Sequence, residues 1–177
     1  MSMKTDFRKS TVYQIYPKSF CDSNQDGVGD LRGIISKLDY IKELGVDYIW
    51  MTPFFVSPQN DNGYDVEDYY QIDSRYGTMQ DVEELIEEAD KRNIKLMFDM
   101  VFNHVSTRHE WFQKAMEGDP YYKDFFFFRK GKENGEPPTN WESKFGGSAW
   151  EYLEKFDEYY LHLFDVTQAD LNWDNEN

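Results

Sequence analysis

Residues 22–30 read Asp-Ser-Asn-Gln-Asp-Gly-Val-Gly-Asp, which sets oxygen-bearing side chains at alternate positions on a loop whose glycines permit a sharp turn. Hard cations such as Ca²⁺ take clustered oxygen ligands. This spacing lets one short loop offer Asp22, Asn24, Asp26 and Asp30, together with the backbone carbonyl of Val28. The pattern matches the first half of an EF-hand loop, but the position of the terminal Glu is held by Gly33. The competing reading is a solvated acidic turn with Asp30 at the N-terminus of the next helix, where the helix dipole favours a carboxylate.

A second group follows from position. Asp99 falls in an apolar run expected to be a strand, with Asn103-His104 just beyond it, and Gly63-Tyr64-Asp65 occupies a loop after the preceding strand. In parallel α/β folds the carboxyl ends of strands carry the active site, so Tyr64, Asp65, Asp99 and His104 meet on one rim. A lone Asp or His is more often a satisfied structural group, and the convergence is what favours function. The stretch 140–150, with Trp141, Phe145 and Trp150 around the pair Gly146-Gly147, either supplies a stacking wall for a sugar or folds a subdomain. Serine or cysteine nucleophile chemistry finds no support, because Cys21 lacks an identifiable His partner and no Gly-x-Ser-x-Gly elbow or P-loop is present.

The elements that position these residues are legible from periodicity. Residues 11–16 (TVYQIY) form a β-rich run ended by Pro17, and residues 31–44 repeat apolar residues at steps of three and four before Gly45. Residues 46–51 give a second strand. Residues 57–77 are loop-like, and Thr78 caps a helix whose apolar face is Met79, Val82, Leu85, Ile86 and Ala89. Residues 94–101 make a third strand. Strand-helix-strand-helix-strand predicts an α/β fold of parallel units, the start of a barrel or of an open sheet. After His104 the chain turns aromatic, with a helical piece at 109–116, the run 125–128, a Gly-containing loop at 131–147 and a strand at 159–164. This reads as a subdomain hung on the third strand.

Composition narrows the partners. A net charge of -15 disfavours nucleic acid and anionic membranes, which carry the same sign. One cysteine and no long apolar run predict a reducing, cytoplasmic setting. The high aromatic content suits sugar stacking but, taken alone, favours core packing.

Taken in order, Gln14-Ile-Tyr-Pro-Lys-Ser-Phe20, the 22–30 loop, Asn62-Gly-Tyr-Asp65, Asp99-Met-Val-Phe-Asn-His104 and Gln168-Ala-Asp-Leu-Asn172 resemble the opening motifs of the α-amylase family. Within it the chain is similar to the oligo-1,6-glucosidase branch, and residues 160–173 look most like trehalose-6-phosphate hydrolases. The resemblance covers the chain from Val12 onward. It implies the N-terminal portion of a (β/α)₈ barrel, the first three βα units at 1–104, with a subdomain inserted after strand 3 at 105–170 and a return to the barrel at 171–177. It further implies that Asp65 and His104 bind sugar hydroxyls between Tyr64 and Phe145, that Asp99 supports that site, and that the 22–30 loop binds calcium.

The implied partner is a small α-glucoside: trehalose 6-phosphate, or isomaltose-type oligosaccharides as the runner-up. A non-catalytic glucoside-binding module and a calcium-stabilised interaction domain stand as further alternatives. The family cleaves with retention, using carboxylates on later strands, and two carboxyl groups about 5 Å apart are needed for that chemistry. None is assigned here, so the chain alone is expected to be inactive. Three strands leave unpaired edges, so self-association is expected as well.

Overall fold

The computed structural model describes residues 7–176; the start of the polar N-terminal stretch, 1–6, and Asn177, the last residue of the expected return segment, lie outside them. The strands are β1 (Val12–Ile15), β2 (Tyr48–Met51), β3 (Phe55–Val56), β4 (Asp68–Ile72), β5 (Lys95–Phe98), β6 (His104–Ser106), β7 (Phe128–Arg129), β8 (Trp150–Leu153), β9 (Glu158–Leu161) and β10 (Gln168–Asp170). The helices are α1 (Pro17–Phe20), α2 (Leu31–Ser36), α3 (Leu38–Glu43), α4 (Met79–Lys91), α5 (Glu110–Glu117) and α6 (Pro120–Lys123). The chain divides into two compact units: the described residues through Phe54 with Tyr70–Met100, and Phe55–Tyr69 with the residues from Val101 on.

In the first unit β1, β2 and β5 form a parallel sheet in that order, with Val12 opposite Tyr48 and Tyr48 opposite Lys95. The expected alternation is therefore present as an α/β layer. Ile15, Ile49 and Met51 from the sheet pack with Leu31, Ile34, Leu38, Ile41, Val82, Leu85 and Ala89 from the helices into one buried cluster. Thr78 caps α4 in a reciprocal box with Asp81, satisfying two of the helix's otherwise orphaned amides.

Three expectations shift. The helix read over 31–44 is two helices that break at Lys37. Ser36 Oγ donates to the Gly33 carbonyl at 2.7 Å, and such back-bonding competes with the helical ladder and bends it. The strand read over 94–101 stops at Phe98, so Asp99 is the first residue beyond it rather than a member. The stretch read as loop at 57–77 contains β4, whose paired tyrosines suit a pleated surface despite the turn signals on either side.

In the second unit β6 and β10 pair antiparallel, and β7, β9 and β8 form a second antiparallel sheet in that order. The strand expected at 159–164 is β9, shifted toward the N-terminus, and the expected helical piece is α5, closed by Gly118 in the left-handed region. Val105, Phe112, Ala115, Phe126, Tyr160 and Ala169 form its core, where Phe112 meets the rings of Phe126 and Tyr160 edge-on. Among the described residues no helix is long and apolar enough to cross a membrane.

Gly33 marks the tightest approach in the first unit. A Cβ there would lie 1.9 Å from the Cys21 carbonyl oxygen. Gly33→Ala is therefore expected to lose about 3 kcal/mol to overpacking, outweighing the roughly 1 kcal/mol of helix propensity that alanine gains. Chemical denaturation checks this, and a stabilised variant would show that the contact yields without strain.

Candidate functional site

Asp65 organises the loop that follows β3. It has no exposed surface. Its Oδ1 accepts from Ser57 Oγ at 2.9 Å and the Asp61 amide at 3.1 Å, and its Oδ2 accepts from the Asn60 amide at 2.8 Å. A buried carboxylate requires such donors, and they wrap residues 57–65 into a compact turn. Tyr64 closes it by donating its amide to the Asp61 carbonyl at 2.9 Å. Asn62 and Gly63 take positive φ, +49° and +99°, which the turn demands and these residue types tolerate.

The turn meets His104 at the start of β6. The imidazole is buried, and its Nε2 lies 3.1 Å from the Tyr64 carbonyl oxygen while its Nδ1 lies 3.1 Å from Asn103 Nδ2. An amide nitrogen only donates, so Nδ1 accepts and the neutral ring carries its proton on Nε2, donating to Tyr64. Burial holds His104 below the ordinary value of 6.5, and the Tyr64 carbonyl, Asp61 and Asp65 offset only part of that.

Phe164 lies 5.1 Å from the imidazole by ring centres, and Phe145 stands edge-on to Phe164 at 6.1 Å. Phe145 is 60% exposed, so it presents an aromatic face to solvent. Asp170, opposite His104 in the β6–β10 register, accepts from the Leu163 amide at 3.0 Å and from Asn103 Nδ2 at 3.4 Å. Burial pushes its carboxyl up to about 6, against the pull of those donors.

The structure thus brings Tyr64 and His104 into hydrogen-bond contact, ties Asp65 to them through the turn, and reaches Phe145 through Phe164. Asp99 belongs to the first unit, where its amide donates to the Met51 carbonyl at the end of β5. Both oxygens of Asp65 already accept bonds from its own turn, so its first part is to brace the loop. Sequence reading passed over Asp61, Phe164 and Gln168. Gln168 stands in one of the motifs singled out above, but nothing local connects it to Asp61, whose carboxylate it reaches across 107 residues. Two surface clefts of the second unit, of about 440 and 390 Å³, are lined by other residues, Lys130 and Tyr159 in one and Trp111 and Trp173 in the other. They lack the convergent buried polar groups that distinguish the His104 cluster.

In the 22–30 loop, Asp22 accepts from the amides of Asn24, Gln25 and Gly27 at 2.7 to 3.0 Å, and the Gly27 amide foremost holds its carboxyl below the usual aspartate value. Asp26 accepts from the Val28 amide and from Asn24 Nδ2. Asp30 is the N-cap of α2, accepting from the Gly33 amide at 2.6 Å, and it also binds Ser23. The helix-terminal reading of Asp30 is therefore realised. Among the described residues no group of three or more His, Cys, Asp or Glu stands arranged to hold a metal ion.

Comparison with known proteins places these features in a wider frame. The family model "Alpha amylase, catalytic domain" matches residues 14–177. A trehalose-6-phosphate hydrolase of Bacillus subtilis is 60% identical over 98% of this chain, and an oligo-1,6-glucosidase of Bacillus cereus is 57% identical over 96% of it. The crystal structure of Bacillus licheniformis trehalose-6-phosphate hydrolase superposes with a TM-score of 0.92 at 63% identity over 96% of the chain. The chain spans 32%, 30% and 31% of those proteins, respectively.

The two buried groups make opposite contributions with pH. The neutral His104 ring stabilises fully above its unfolded value of 6.5, and that contribution is lost as pH falls through the lower folded value. Asp170, raised to about 6 from 3.8, contributes stability that is present below 3.8 and lost as pH rises through about 6. Asp170→Asn is therefore expected to steepen acid destabilisation between pH 6 and pH 4. Urea titrations of both proteins across that range test this, and parallel curves would show that Asp170 titrates normally.

Proposed function

Because this chain belongs to the α-amylase family of glycoside hydrolases, we propose that it is the sugar-gripping N-terminal portion of a retaining α-glucosidase that cleaves trehalose 6-phosphate to glucose and glucose 6-phosphate. The observation that carries this reading is the 60% identity with the Bacillus subtilis trehalose-6-phosphate hydrolase across nearly the whole chain. The oligo-1,6-glucosidase reading, with isomaltose-type substrates, rests on the 57% identity with the Bacillus cereus enzyme. A glucoside-binding module without chemistry is what the residues of this chain amount to by themselves.

In this proposal residues 1–104 contribute the first three βα units of a barrel, 105–170 an inserted subdomain and 171–177 the return to the barrel. His104 and Asp65 meet sugar hydroxyls, Tyr64 and Phe145 flank the ring, and Asp99 has a supporting role. Both ring nitrogens of the neutral His104 are engaged, Nε2 donating to the Tyr64 carbonyl and Nδ1 accepting from Asn103, so a sugar hydroxyl would take the place of one of those partners. Cleavage with retention requires a nucleophile and an acid/base pair about 5 Å apart, and no carboxylate of this chain is assigned to either part. Binding that does not discriminate the transition state gives no acceleration, so the chain alone binds without cleaving. The single cysteine, Cys21, suits a reducing, cytoplasmic setting, and the sheet edges β1 and β5 support self-association.

Hydrolysis of p-nitrophenyl α-glucoside and of trehalose 6-phosphate, by this chain and by the protein translated from the full reading frame, tests the reading. Turnover is expected only in the longer protein and faster on trehalose 6-phosphate than on isomaltose. Turnover by the 177-residue chain would place the chemistry in its own carboxylates and overturn the assignment.

The 22–30 loop would hold a structural Ca²⁺ through Asp22, Asn24, Asp26, the Val28 carbonyl and Asp30. The donor set is all oxygen, as a hard cation requires, and a carboxylate offers about four lone-pair sites, of which the Val28 amide and Asn24 Nδ2 take two at Asp26. Bound calcium would neutralise the clustered charge. The thermal midpoint is expected to rise in millimolar Ca²⁺ relative to EDTA, and Asp26→Ala is expected to abolish the rise. Equal midpoints would mean that the amides alone hold the loop.

A further inference from the structure

Gln168 is fully buried, an uncommon place for a side-chain amide unless its atoms are paired. Both are. Nε2 donates to Asp61 Oδ2 at 2.9 Å, and Oε1 accepts from the Asp165 amide at 2.8 Å. Its backbone lies in β10, opposite Ser106 in the register that also sets Asp170 against His104.

Asp61 is in turn the hub of the Tyr64 turn. Its amide donates to Asp65 Oδ1, and its carbonyl accepts the Tyr64 amide at 2.9 Å. The Tyr64 carbonyl then receives the His104 Nε2 proton. An unbroken series of hydrogen bonds therefore runs from the Gln168 amide through Asp61 and Tyr64 to the imidazole, although Gln168 has no hydrogen bond to His104 itself.

We propose that Gln168 is a positioning residue for the sugar site: by holding the Asp61 carboxylate it fixes where the Tyr64 carbonyl stands and, through it, the orientation of the His104 ring. The geometry favours this over simple core filling. A leucine would occupy similar volume, but it would leave the half-buried Asp61 carboxylate without its donor, which is costly. The consequence for glucoside affinity rests on the functional reading above, whereas the coupling from Gln168 to the imidazole does not.

Four forms of the chain decide the matter: wild type, Gln168→Glu, Asp61→Asn and the double variant Gln168→Glu/Asp61→Asn. Circular dichroism reports the fold, ¹⁵N-detected NMR of the histidine rings reports the His104 Nε2 proton, and titration with p-nitrophenyl α-glucoside reports binding. Gln168→Glu sets a second carboxylate against Asp61. It is expected to move the His104 Nε2 signal toward that of an unbonded ring and to weaken glucoside binding about tenfold or more, the scale of one charge-assisted hydrogen bond.

The double variant exchanges donor and acceptor: the side-chain amide now stands at position 61 and the carboxylate at position 168, so the bond can form in the opposite sense. Both readouts are expected to return toward wild type. Gln168→Met, which lacks the donor without adding charge, replaces Gln168→Glu if that variant does not fold, with the same shift expected. A His104 signal unchanged in a folded variant would overturn the proposal, as would a double variant no better than Gln168→Glu. A His104 signal that responds in a protein binding no glucoside would uphold the coupling and count against the functional reading instead.

Discussion

The second unit depends on one buried carboxyl group. Asp65 has no exposed surface, so its oxygens need hydrogen-bond donors from the protein, and it draws Ser57 and the amides of Asn60 and Asp61 into a single turn. That turn fixes the direction of the Tyr64 carbonyl. The carbonyl, accepting from Nε2 while Asn103 donates to Nδ1, settles the tautomer of His104, and burial keeps the ring neutral. What the site can offer a ligand, a neutral imidazole beside aromatic edges, thus follows from where one carboxylate can be buried.

Much of the first unit is legible from periodicity because its elements obey local rules. The apolar steps of three and four, the cap at Thr78 and the Pro-ended strand each concern residues a few positions apart, and the parallel sheet with its two helical crossings follows from them. The break at Lys37 escapes such reading, since it turns on a serine hydroxyl competing for one carbonyl. In the site, Tyr64, Asp65 and His104 stand out by type and place. Asp61 and Gln168 do not, because an aspartate in a loop and a glutamine in a short strand show no link to each other until the fold brings them to 2.9 Å. Long-range pairings between unremarkable polar residues are the part of a site that spacing cannot show.

Residue type also shows only part of what a site residue does. The resemblance implies that Asp65 binds a sugar hydroxyl, and type gives no sign that its oxygens also hold its own turn. The exposed and half-buried rings of Phe145, Phe164 and Tyr64 lie nearer to what a ligand would first meet. A carboxyl group buried in its own turn beside partly exposed rings is a division that composition cannot reveal, since both kinds of residue are abundant along the chain.

Gly33 sets how far the likeness of the 22–30 loop to an EF-hand extends. A glutamate there would carry its Cβ within 1.9 Å of the Cys21 carbonyl oxygen, so the bidentate ligand that closes an EF-hand is excluded by packing and not merely missing. A cation held by this loop would have to take its donors from residues 22–30 alone, with water completing the shell. Asp30 would have to serve it while capping α2, because the same oxygens receive the Gly33 and Ser23 donors. Ion binding and the start of α2 would then be linked through one side chain, and the cation would act on stability through the helix it helps to begin.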